Sequence, residues 1–249
     1  MRPFLADLHV HSVLSACADD LMLPSTVIAA ARRRGVSILG LADHNSAENA
    51  ATFVAAGSTA GLYVLPGMEV TTREEVHVLA LFSQVADALA WQEHVYRHLP
   101  PLRNDERAFG TQLVVDAQDE ILRINERLLL TATDLSLAEV IGGVGQAGGL
   151  AIPAHVDRMA FGLIGQLGFV PNDVEIPIVE FSRYADPATP AAVHRSLAGR
   201  CVVQSSDAHY PGDVGAVGTL FWIEAPTIEE IRLACLGVGG RRIEYRRHG

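Results

Sequence analysis

Apolar runs that end in a histidine or a carboxylate recur along this chain, and their repetition limits the folds open to it. His9 and His11 close FLADLHVH, and His44 closes VSILGLADH. His77 opens HVLALF eight residues after Glu69 in LYVLPGMEV. His155 closes GLAIPAH, and Asp207 with His209 closes RCVVQSSDAH. A strand ending in a ligand, repeated around a closed sheet, gathers many side chains in one mouth. Imidazole and carboxylate are the donors that catalytic transition metals favour. The pattern points to a multi-metal hydrolytic site.

Helical segments separate these runs. Pro24 stands where a helix starts, and TVIAAARRRG stops at Gly35. SAENAATFVAAGSTAG follows VSILGLADH in the same manner. SLAEVIGGVGQAGG, with Asp134 ahead of it as a cap, precedes GLAIPAH. The glycines of GGVGQAGG serve packing. IPIVEFSRY and RCVVQSSDAH add two strands, and LFWIEA with TIEEIRLACLG completes the order, Thr227 and Glu230 forming a capping box. Strand–helix alternation with continuous apolar strands implies an α/β fold with a parallel sheet buried on both faces. Residues 83–135 break the alternation. They are more charged, and TQLVVDAQDEILRI reads as a hairpin, so this stretch is expected to be an insertion or lid over the site of a single domain spanning 1–249.

Composition narrows the function classes. The net charge is −10, which argues against a general nucleic-acid-binding surface. All 19 basic residues are arginine, so a phosphate contact falls to a guanidinium, a backbone N–H or a metal. Three cysteines without a CxxC pair argue against a disulfide framework and for a reducing compartment. The amino terminus lacks a signal-peptide core, and no apolar stretch reaches about 18 residues. The expectation is a cytoplasmic protein with no membrane contact.

His9 and His11 stand at i and i+2 and share one face of a strand. Alone, such a pair reads equally as two polar strand residues. Asp207 and His209 repeat the spacing on another strand, and His44 and His155 add two further ends, which removes the bland reading for the set. His94, His98, His194 and His248 lie away from strand ends and read as solvent-facing, and Glu74 and Glu75 as exposed turn residues. Asp7 and Asp43 are placed either to orient an imidazole or to satisfy a loop.

In order and spacing, DLHVHS, GLADHN, GMEVTT followed by HVLALF, IPAH and SSDAH resemble the successive motifs of the polymerase-and-histidinol-phosphatase (PHP) superfamily, over residues 7–209. The resemblance implies a distorted (β/α)7 TIM-like barrel and phosphoester hydrolysis at a trinuclear site, with two or three divalent ions of manganese, iron or zinc. By the same resemblance His9, His11, Glu69 and Asp207 hold the first ion, and Glu69 bridges to a second completed by His77 and His155. The third takes His44 and His209 with a ligand from the loop after His11. There the chain departs from the family's Ser-Asp-Gly. Counting from Ser15 puts the ligand on Ala16 or Cys17; counting back from Pro24 puts it on Asp19, the expected ninth ligand, with Cys17 and then Asp20 as alternatives. A thiolate there favours a softer metal such as zinc, although Cys17 also reads as a small buried hydrophobe.

Adjacent cations bring the pKa of a bridging water towards neutrality, so no catalytic side chain separate from that water is expected. The sequence has no G-x-S-x-G elbow and no Walker loop. Arg158 in HVDR and Arg183 in EFSR follow strand ends and are expected at the substrate phosphate, against the alternative of ion pairs with Asp157, Glu180 or a lid acid. The leading function is hydrolysis of a small phosphorylated molecule, a short oligonucleotide end included. The rivals are a nuclease or polymerase-associated proofreading module, amidohydrolase-type C–N hydrolysis, and an inactive metal-stabilised structural or regulatory module. A nuclease predicts a basic groove, and only RRIEYRRHG is basic; the amidohydrolase reading wants a lysine that the chain lacks.

Overall fold

The computed structural model describes residues 1–247. The first half runs β1 (Arg2–Val10), α1 (Pro24–Arg33), β2 (Ile38–Leu41), α2 (Ala50–Ala60), β3 (Tyr63–Leu65), β4 (Gly67–Thr71) and β5 (His77–Leu81). Then come α3 (Val85–His98), α4 (Glu106–Phe109), β6 (Leu113–Val115) and β7 (Ile121–Ile124). The second half runs α5 (Leu137–Gln146), β8 (Leu150–Pro153), α6 (Leu163–Leu167), β9 (Ile178–Phe181), α7 (Pro190–Val193), β10 (Cys201–Gln204), β11 (Val217–Ile223), α8 (Ile228–Cys235) and β12 (Arg242–Arg247).

The fold is mixed α/β, and the all-parallel sheet expected from the alternation is corrected by antiparallel strands. Among the described residues the strands form four hydrogen-bonded sheets, in the orders β12-β11-β1-β2-β3, β4-β5-β8, β9-β10 and β6-β7, with no closed ladder. β1, β2 and β3 are parallel, as are β9 and β10. β4-β5-β8 is antiparallel throughout, and β11 runs antiparallel to β1. Connection length explains the difference. The turn between Thr71 and His77, with Glu75 at φ 58°, is too short to hold a crossover helix, so β5 returns beside β4. Pro66, which lacks an N–H, divides LYVLPGMEV, and its halves β3 and β4 join different sheets.

Burial on both faces holds as expected. Leu79 and Leu81 of β5 join Phe4, Ala6, Leu8, Ile152 and Phe221 in one apolar cluster. Val78 and Ala80 face the other way, into a cluster with Phe53 of α2, Trp91 of α3 and Val140 of α5. The period of two along β5 thus feeds two cores, and each fully buried Leu or Phe contributes about 1.5–3 kcal/mol. Gly40 permits the tight β1–β2 approach, since a Cβ there would strike the Leu8 carbonyl. Gly143, in the glycine-rich helix α5, likewise makes room for the Trp91 ring. Helix α5 starts at a capping box, but Ser136 and Glu139 form it, while Asp134 pairs with His98 instead. Thr227 caps α8 through Glu230 N–H, whereas the Glu230 carboxylate serves Arg241 and Glu224 N–H rather than closing a box. The basic carboxy-terminal run forms edge strand β12; His248 lies outside the described residues. No helix among the described residues is long and apolar enough to cross a membrane.

Candidate metal centre

Single bridges stitch strand ends together where the ligands stand. Val10 bridges Ala208, which brings Asp207 and His209 beside His9 and His11. His44 bridges Glu69: Asn45 N–H donates to Glu69 O, and Glu69 N–H to Asp43 O, both at 2.9 Å. His77 opens β5 with its N–H on Phe161 O at 3.0 Å, and Ala154 N–H donates to His77 O, placing His155 next to it. His155 has φ 31° and Asp207 φ 50°. Such conformations cost about 1–3 kcal/mol each in non-glycine residues and cluster at functional sites.

The eight motif ligands converge. Glu69, 1% exposed, has its carboxylate 2.8 Å from His77 Nδ1, 3.1 Å from His44 Nδ1 and His155 Nε2, 3.3 Å from His9 Nε2 and 3.6 Å from His11 Nε2. A carboxylate has about four lone-pair sites, so five imidazoles exceed what hydrogen bonding uses. Asp207 Oδ1 adds contacts of 3.3 Å to both His9 and His11 Nε2, and those two nitrogens lie 3.1 Å apart. Donor atoms this crowded, with so few protons to share, fit divalent cations. Among the described residues three overlapping groups have ligand atoms within 4.8 Å of one another: His9–His11–Glu69, His44–Glu69–His77 and His11–His44–His209. His11, His44 and Glu69 each belong to two of these groups.

The buried carboxylates and imidazoles shift one another's proton affinities. Burial disfavours the Glu69 anion, but His77 and His9, with hydrogen bonds from His155 and His44, outweigh burial and hold its carboxyl well below the usual range. Burial also lowers His9, yet Glu180, Glu69 and Asp207 keep it well above an ordinary histidine. His44 resists burial through Cys17 and Glu69 and rises to about 10, whereas burial takes His77 down to about 4 despite Glu69. Burial and then His209 push His11 well down. Burial raises Cys17, but hydrogen bonds with His209 and His44 bring it to about 6. Cations entering here displace protons.

The outer nitrogens of His9 and His11 are held by hydrogen bonds. His9 Nδ1–H donates to Glu180 Oε2 at 2.9 Å, and His155 N–H donates to the same oxygen at 3.2 Å. His11 Nδ1–H donates to Ser15 Oγ at 2.9 Å, and Ser15 Oγ donates to Asp43 Oδ1 at 2.7 Å. Asp43 also accepts Ser12 N–H and Oγ–H at 2.7 Å each, so it satisfies the loop and orients His11 at once. Asp7 is a loop pin, accepting from Ser206 N and Oγ and from Gly215 N. Glu180 escaped the sequence reading as a positioning group. Its signal was present: an acid inside the apolar run IPIVEF, as Asp7 is inside FLADLHVH. Glu180→Ala is expected to weaken metal binding about 10- to 100-fold, measured by competition with a chelator; unchanged affinity would remove Glu180 from this role.

A cavity of about 320 Å³ opens on the cluster, lined by Cys17, His44, Glu69, His77, Leu130, His155, Arg158, Phe161, Asp207 and His209. Phe161 stacks on His77, with ring centroids 4.5 Å apart. Arg158 reaches the cavity and pairs with Asp207 Oδ2 at 2.7 Å. Arg183, expected beside it, turns to Asp213 at 2.8 Å and over the Tyr184 ring, so it is not part of the lining. Asp19 also departs from expectation. Its carboxylate accepts Leu21 N–H at 2.9 Å within its own loop, and Cys17 takes the place beside His44 and His209. His94, His98 and His194 are half-buried away from the centre, beside Trp91, Asp134 and Ser196. Glu74 accepts Leu137 N–H and is half-buried, while Glu75 is exposed.

A mixed α/β fold with a histidine–carboxylate cluster at its strand ends defines a class of metal-dependent hydrolases. The PHP domain model matches residues 7–153, and the chain belongs to the PHP family, whose members are metal-dependent phosphoesterases. No curated protein matches the chain in sequence. Among solved structures, the lesion-specific endonuclease PfuEndoQ from Pyrococcus furiosus is similar over 97% of this chain, with a TM-score of 0.76 and 21% identity. Endonuclease Q in complex with a 27-mer duplex bearing an abasic lesion gives a TM-score of 0.70 and 20% identity over the same share. This chain spans 58% of the length of each. A Bifidobacterium adolescentis protein described as a metal-dependent phosphoesterase is similar over 83% of this chain and 88% of its own, at 21% identity and a TM-score of 0.54.

Proposed function

We propose that this chain hydrolyses a small phosphorylated substrate at a centre of two or three divalent ions, and the crowding of imidazoles about Glu69 carries that reading. His9, His11 and Glu69, with Asp207 beside them, would hold one ion, and Glu69, His77 and His155 a second, with His44 near enough to join them. His11, His44 and His209 would share a third. When bound, such ions acidify water and neutralise charge on phosphoryl oxygens. The chain's own residues prepare the surroundings. Glu180 and the Ser15–Asp43 pair hold the outer nitrogens of His9 and His11, so their Nε2 lone pairs face inward. Leu130 and Phe161 give the cavity apolar walls that limit water. Residues 83–135, which supply Leu130, act in this proposal as the cover of a single-domain enzyme.

Arg158 is the cationic side chain at the cavity, and in this reading it exchanges Asp207 for a phosphoryl oxygen. Hydrogen bonds to a charged group contribute about 1.5–3 kcal/mol, so Arg158→Ala should raise KM about 10- to 100-fold. Metal content measured alongside should not fall; an unchanged KM would free Arg158 of this role. A volume near 320 Å³ lies at the small end of ligand pockets. That size and the net charge of −10 favour a small ester over a duplex.

A second reading, cleavage of a nucleic-acid phosphodiester, draws support from the fold overlap with the endonucleases. Metal-loaded protein should be assayed with p-nitrophenyl phosphate, its bis-ester and an abasic-site duplex, each with manganese, iron and zinc. Turnover of the small esters alone supports the proposal. Cleavage of the duplex with inert monoester supports the second reading. No turnover in fully loaded protein would leave a structural or regulatory module.

A further inference from the structure

We propose that Cys17 is the anionic ligand of the ion shared by His11, His44 and His209, which makes that position selective for thiophilic divalent ions such as zinc, cobalt or cadmium. This rests on the metal-centre reading and adds a ligand to it. Three neutral imidazoles bring no charge to a dication, and the two carboxylates of the cluster are already committed. Glu69 stands among His9, His11, His44, His77 and His155, and Asp207 among His9, His11, His209 and Arg158, so each is shared with side chains outside the group. The three-histidine group thus has no anion that it does not share, and Cys17 lines the cavity beside His44 and His209. Cys17 is exposed because it forms part of the cavity's rim.

The loop backbone fixes the choice. Asp19 N–H donates to His209 O at 2.8 Å, which ties the loop to the centre just after Cys17, and Ala18 N–H donates to Ser15 O at 2.8 Å, which closes a turn around Cys17. Asp19 then closes a turn on Leu21 N–H, with Met22 N–H on Asp19 O at 2.9 Å, and its carboxylate faces the loop rather than the histidines. Asp20, the next acid, is exposed. From the other side Gly110 abuts the Ala16 carbonyl, where a Cβ would collide. A thiolate in an otherwise nitrogen set shifts preference from manganese towards softer ions.

Cobalt titration of chelator-stripped full-length protein tests this without recourse to turnover. The sulfur-to-cobalt charge-transfer absorption in the near ultraviolet reports thiolate ligation, and elemental analysis gives the stoichiometry. Wild-type protein should develop the band. Cys17→Ala should lose it and weaken one cobalt equivalent by at least about tenfold. Cys17→Asp should retain the equivalent without the band, and Asp19→Ala should retain both. Absence of the band in cobalt-loaded wild type would overturn the assignment. So would loss of an equivalent in Asp19→Ala while Cys17→Ala keeps its full complement. Phosphoester turnover measured on the same samples is a separate readout: a band without turnover upholds the ligand and defeats the phosphoesterase reading instead.

Discussion

Glu69→Gln is expected to reduce phosphoester turnover by about 10²- to 10³-fold and to lower metal content by at least one equivalent, because breaking a buried ionic contact costs about 3–5 kcal/mol and each 1.4 kcal/mol is tenfold. Glutamine keeps the volume of the side chain, so packing against the 0%-exposed His9 and His11 is undisturbed. What changes is the donor set. The amide presents one oxygen and one NH2 where the carboxylate presents two oxygens, and five imidazole nitrogens lie within 3.6 Å of that carboxylate. The NH2 group can ligate no cation and confronts nitrogens whose lone pairs a cation would use. Because Glu69 belongs to two of the candidate ligand groups, one substitution alters both. The comparison needs kcat/KM and elemental analysis on the same preparation. A Glu69→Gln protein with full metal content and wild-type kcat/KM would show that the centre is organised around another residue.

Much of the site was legible because its ligands stand at the ends of apolar runs, where a strand leaves the core and its next side chains must be polar. His9, His11, His44, Glu69, His77, His155, Asp207 and His209 were all read this way, and all converge. The loop between His11 and Pro24 was less legible for a physical reason. No periodicity governs which way a turn points its side chains. Counting residues cannot distinguish Asp19 from Cys17, whereas the structure shows Leu21 N–H on the Asp19 carboxylate and Cys17 lining the cavity. Arg183 illustrates a related gap: a long side chain at a strand end reaches whichever acid is near, and Asp213 comes from a distant segment of the chain. Strand direction failed at β5, since an apolar run reads alike in a parallel and an antiparallel ladder. The shortness of the turn from Thr71 to His77 was the overlooked clue. Glu180 was passed over because a buried acid within a strand carries no motif, yet burial itself demands a partner for it.

Removing the metals is expected to lower the thermal midpoint by about 8–16 °C for each ion held at a thousandfold excess over its Kd, since such an ion contributes about 4 kcal/mol and a domain of this size shifts about 2–4 °C per kcal/mol. The stripped centre leaves the Glu69 and Asp207 carboxylates, both held below the usual range, among crowded imidazoles with no cation to bind them. It would also leave the left-handed backbones of His155 and Asp207 without any ligation to offset them. The loss should be local at first. Residues 12–22, 155–162 and 205–214 converge on the cluster, so their amides should lose hydrogen-exchange protection before those of β1, β2 and β5, which two apolar clusters hold independently. Calorimetry with and without chelator, followed by exchange on the stripped protein, checks both parts. Glu69→Gln supplies the internal control, because a protein that already binds metal poorly should respond less to the chelator. Equal midpoints before and after verified metal removal would mean that the fold supports the centre without being supported by it. The positive φ values at His155 and Asp207 would then be strain carried entirely by the surrounding packing.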